Sequence, residues 1–294
     1  MRAAALALLA LLTIGPQARG GEEGPTPADE ATELVNALLG SLMGGGGVTG
    51  ESLQREVAEV GGIPFREDVP IAFMSHGDLV EYLREVLEAE YPEARAEADR
   101  RLLEAFDLLA PGTDLRSLRG RLLEDNVVGF YDERPGRQRL FAVSESEAFT
   151  PMNQIVLAHE LRHALQDQYA PLHWQLPEDV GDFDDRRLAW MSLLEGDATL
   201  LMERVVLGRM EALGLSGLET LTAGDQSETA LAGLADVPGA PPVIRDHLVM
   251  PYLVGRDLAR AIETRDGAEG MRSAWSRPPD STEQVLHPET FFSR

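Results

Sequence analysis

Apolar and polar positions along this chain follow two periods, and the places where one gives way to the other mark its elements. Residues 68–74 (DVPIAFM) carry the dense apolar character of a strand. Three stretches with apolar positions three and four apart follow, at 78–90, 94–109 and 115–123, and predict helices. The period then shortens: 127–132 and 139–143 are β-rich runs flanking Pro135-Gly136, which predicts a hairpin. Helical spacing resumes at Pro151, suited to a first turn, with Thr150 as N-cap and Ile155, Val156, Leu161 and Leu165 on the apolar side to about 168. A Pro- and Asp-rich loop leads to a long predicted helix at 185–210, then a Gly/Ala/Pro-rich connector, a helix at 253–264 and a polar C-terminal segment. No internal repeat is present.

The first twenty residues depart from this pattern. Arg2, an apolar run from 3 to 14, Gly15-Pro16 and the small residues Ala18 and Gly20 have the layout of a secretory signal peptide cleaved after Gly20. That apolar run is well short of the roughly 20 residues needed to span a bilayer, and no later stretch is longer, so the mature chain is expected to be exported and without a membrane span. Residues 21–50 form a flexible Pro/Gly-rich leader that includes an apolar stretch at 31–42 and glycines 44–47, and the compact domain is expected over 51–294. There is no cysteine, which excludes disulfides, thiolate catalysis and cysteine-ligated zinc. A net charge of −24 disfavours nucleic acid and anionic lipid as partners.

Chemistry concentrates at His159-Glu160-Leu161-Arg162-His163, an HExxH pattern inside a predicted helix. On a helix, imidazoles at i and i+4 project from one face and can share a zinc ion, while Glu160 reaches a water on that metal. A catalytic zinc needs a third protein ligand and one open position. Glu195, in the otherwise apolar LLEGDATLLM, is the candidate, since an acid among leucines there is not expected to be solvated. His173 is the rival, ten positions past His163, in a loop with Pro171 and Trp174.

With these motifs the chain resembles the gluzincin branch of the zincin metallopeptidases, which combine an HExxH helix with a Glu ligand on a following helix. VGFYD, AHELRHALQDQ, LLEGDAT, PYLVG and STEQVLHPE, in that order, are also similar to a group of bacterial exported HExxH proteins. The resemblance implies an α+β, zincin-like metallopeptidase fold: a small mixed sheet with a hairpin edge strand packed on the active-site helix, then a mainly helical lobe. It implies zinc held by His159, His163 and Glu195, with Glu160 as general base in the hydrolysis of a peptide or protein substrate. An oxyanion donor outside the metal ligands is expected at His287 or Tyr252, and Tyr131 with its strand is expected to line the cleft and pair with an extended substrate. Gluzincins often place an Asp four residues after the Glu ligand to orient a histidine; that position is Thr199 here, which leaves Asp197 and Asp167 as alternatives.

Two other functions remain open at this level. One is a non-catalytic binding or scaffold protein of the cell envelope with a zincin fold, which retention of Glu160 argues against. The other is a zinc amidase acting on cell-wall peptide or another non-protein substrate; the acidic surface does not favour a polyanionic wall.

Overall fold

A computed structural model describes residues 48–144, 149, 151–172, 181, 183–212 and 240–294. The expected signal peptide, nearly all of the leader, Thr150 and His173 lie outside these residues. Helix α1 (Gly50–Gly61), which the sequence pattern did not predict, opens the described chain. Thr49 and Ser52 form a reciprocal capping box at its start, and Leu53, Val57 and Gly61, four apart, are its buried stripe. Burying such a leucine contributes roughly 2 kcal/mol.

Strand β1 (Ile71–Met74) is followed by α2 (His76–Glu90), α3 (Glu93–Ala105) and α4 (Leu115–Asn126). Helix α3 stops earlier than the predicted 109, because Asp107 turns into the left-handed region at φ 57° and Leu108 N–H closes back onto the Leu103 carbonyl. The predicted hairpin forms as β2 (Gly129–Asp132) and β3 (Arg139–Val143), with Phe130 opposite Phe141. Strand β1 joins β3 in parallel, so the mixed sheet has the order β1-β3-β2 and β2 is an edge. Val143 donates to the Val128 carbonyl. Alternation along an antiparallel pair then turns the Gly129 and Tyr131 amides outward.

Residue parity divides the sheet's surroundings. Phe130 stacks on Phe141 and packs with Leu79, Leu83 and Leu123 of α2 and α4. Tyr131, Leu140 and Ala142 face the opposite way, onto Leu157, Ala158, Leu161 and Ala164 of α5 (Pro151–Tyr169). Helix α6 (Asp185–Ala212) packs behind α5 and is buried on every side from Ala189 to Leu201. Behind it lies α7 (Pro242–Ser276), far longer than the predicted 253–264, with a break at Gly267, where φ is 62°. Two short helices, α8 (Thr282–Leu286) and α9 (Pro288–Phe292), end the chain. The architecture is mixed α+β, mostly helical with a small three-stranded mixed sheet. No described helix is long and apolar enough to cross a membrane.

Candidate metal centre

Helix α5 carries both histidines into the interior, and α6 delivers Glu195 opposite them. His159 Nε2 lies 3.0 Å from Glu195 Oε2 and 3.0 Å from His163 Nε2, and His163 Nε2 is 3.4 Å from the same oxygen. Three ligands each about 2.0–2.1 Å from a tetrahedral zinc would lie about 3.3 Å from one another, so the triangle has the right size for one ion. All three residues are buried, and His159, His163 and Glu195 are the one group of this kind among the described residues that could hold a metal. The chemistry of the donors fits as well: two imidazole nitrogens and a carboxylate are borderline-to-hard ligands suited to zinc. Glu195 Oε1 and Glu160 Oε1 are both buried without a hydrogen-bond partner, an arrangement that is costly unless a cation or its ligand water answers them.

The electrostatics of the group follow from its burial. Burial alone would raise the Glu195 carboxyl, yet the charge of His163, with hydrogen bonds from both histidines, brings it down to about 2. Burial pulls His163 down, but Glu195 more than reverses this and takes it up to about 9. His159 is lowered, mainly by burial. Glu160 is pushed up to about 8 by burial, with the Glu195 charge adding to the effect.

The surrounding elements hold these side chains in three ways that the sequence pattern did not reveal. Tyr131 N–H, on the outer edge of β2, donates to Glu160 Oε2 at 2.9 Å, and Tyr131 Oη donates to Asp167 Oδ2 at 3.0 Å. The outward amide expected to pair with a substrate is thus engaged with Glu160. Gly196 and Gly255 let α6 and α7 meet backbone to backbone: a Cβ on Gly255 would lie 1.8 Å from the Ser192 carbonyl oxygen. Tyr252, one turn before Gly255, is brought over His159 by that contact, with ring centroids 5.9 Å apart at 22°. Third, His163 Nδ1 lies 2.8 Å from Gln166 Oε1, and Gln166 leads to Asp197, Arg162 and Trp275.

Tyr252 is therefore gathered at the centre with His159, Glu160, His163 and Glu195. His287 is not: it sits between α8 and α9 with its side chain 55% exposed, 3.8 Å from Glu289. Asp197 and Asp167, the two acids considered as histidine partners, divide between different neighbours. Asp197 reaches His163 only through Gln166, and Asp167 serves Tyr131 and the Leu172 amide. The signals available beforehand were the glycines inside LLEGDAT and PYLVG, and a glutamine one turn past His163 on a buried helix. Comparisons with models of known protein families, with curated proteins and with solved structures returned no match to this chain.

Proposed function

We propose that this chain is an exported, zincin-like metallopeptidase that hydrolyses peptide bonds at a single zinc held by His159, His163 and Glu195. The observation that carries the proposal is the combination of this triangle of ligand atoms with a Glu160 carboxylate anchored through one oxygen and unpartnered at the other. Zinc bound there would supply Lewis acidity, acidifying a water and polarising a carbonyl. Glu160 Oε2 is fixed by the Tyr131 amide, which leaves Oε1 to accept the water's proton and pass it to the departing amine. Tyr252, stacked on His159, steadies that ring and is the nearer of the two oxyanion-donor candidates. The N-terminal layout supports export with cleavage after Gly20; an exported form still beginning at Met1 would argue against that cleavage.

A second function, a metal-stabilised binding protein without turnover, is favoured by one observation. His159, Glu160, His163 and Glu195 are at most 2% exposed, so a substrate must displace something to reach them. Metal analysis with a peptide-library assay separates the two. For a peptidase, wild-type protein carries about one zinc per chain and cleaves peptides, while Glu160→Gln retains the zinc and loses about 10²- to 10⁴-fold in rate. Zinc-loaded wild type that cleaves nothing in a broad peptide and amide panel would replace the peptidase with the binding protein.

A further inference from the structure

We infer that Gln166 is a positioning residue for the metal centre, locking the His163 ring with Nδ1–H toward itself and so presenting a bare Nε2 to the ion. The inference rests on the proposed metal site and assigns a role to a residue outside its ligands. Gln166 is fully buried, and its amide nitrogen is committed twice: to the Leu194 carbonyl at 3.1 Å and to Asp197 Oδ2 at 2.8 Å. A carbonyl and a carboxylate only accept hydrogen bonds, so both must face the NH2 group, which settles which end of the amide is oxygen. The oxygen therefore faces His163 Nδ1, 2.8 Å away. An oxygen acceptor there requires a proton on Nδ1, so the nitrogen left for an ion is Nε2, beside Glu195 and His159.

Asp197 is in turn held from three directions. Arg162 grips it through Nε and Nη2, each at 2.9 Å, and Trp275 Nε1 donates to Oδ2 at 3.0 Å. The Arg162 guanidinium also lies over the Trp275 ring, 4.8 Å from its centroid. Every step from α7 to the ligand is a directed bond between buried groups, so the amide cannot turn over without breaking at least two of them. Partners of this kind around a metal-bound histidine typically alter metal affinity about 10- to 100-fold.

The test has one measurement on wild-type protein and one on a variant. In protein labelled with 15N at histidine, His163 should show a ring Nδ1–H protected from solvent exchange both without metal and with zinc. In Gln166→Met, which keeps the volume and removes both polar ends, that protection should disappear and zinc affinity, from chelator competition, should fall about 10- to 100-fold, with far-UV circular dichroism unchanged. A wild-type His163 lacking a protected Nδ1–H overturns the inference without needing the variant to fold. So does a folded Gln166→Met whose zinc affinity stays within about twofold of wild type. Wild-type protein that shows the protected Nδ1–H but takes up no zinc overturns the metal proposal instead, and the two failures are thereby distinguishable.

Discussion

The two faces of helix α5 treat their polar residues differently. On the side toward α6, His163, Gln166, Arg162 and Asp197 form a continuous chain of hydrogen bonds running to Trp275. On the side toward the sheet, Glu160 and Asp167 are both tied to one residue, Tyr131, and Glu160 Oε1 has no partner. The first arrangement holds the His163 ring and Asp197 through several directed bonds at once. The second fixes a carboxyl group at one oxygen and leaves the other without a partner. A single helix can serve both ends because residues three, four and seven apart repeat on each of its faces.

The contrast can be broken most forcefully at Asp197. Removing it by Asp197→Ala strands the Arg162 guanidinium, about 1% exposed, without its carboxylate. Unfolding in denaturant should show a loss of about 3–5 kcal/mol. A loss below about 1 kcal/mol, the scale of an exposed pair, would mean that solvent reaches this side and that it is not closed.

His163→Ala tests the same face through the metal. It removes one of the three proposed ligands and the terminus of the hydrogen-bonded chain together, and stoichiometric zinc should be absent after dialysis. Retention of a full equivalent in that variant would place the metal elsewhere. The sheet-facing side should respond least. Tyr131→Phe deletes only the bond to Asp167, which keeps the Leu172 amide, so stability should fall by about 1 kcal/mol. Because Glu160 is held by the Tyr131 main chain, zinc content should not change; a variant that loses zinc would show that the side chain, not the amide, couples the strand to the centre.

Several features were readable from local pattern because the information they need is local. The hairpin around Pro135-Gly136, the helix through 151–168 and the pairing of His159 with His163 depend on periods of two and 3.6 residues within a short window. Glu195 was recognisable as an acid out of place among leucines, and it is fully buried against both histidines. Helix α1 is not legible in the local pattern because its buried stripe is only Leu53, Val57 and Gly61 beside a glycine-rich leader. Helix α7 exceeds the predicted 253–264 because it takes Pro251 inside it and because a second helical stretch follows the break at Gly267.

The sequence by itself determined the local periods, and with them a helix that must present two imidazoles on one face and an edge strand close beside it in the chain. Only the tertiary structure decided what those elements meet. The parallel pairing of β1 with β3 joins residues nearly seventy positions apart, and the choice of Gln166 rather than Asp167 beside His163 depends on where α6 crosses α5. The same holds for the two oxyanion-donor candidates. Tyr252 reaches His159 because Gly196 and Gly255 allow two helix backbones to touch, whereas His287, in an equally suggestive motif, ends on the surface. Helix crossing and burial are set by packing among distant residues, and a single run of sequence does not encode which distant surface it will meet.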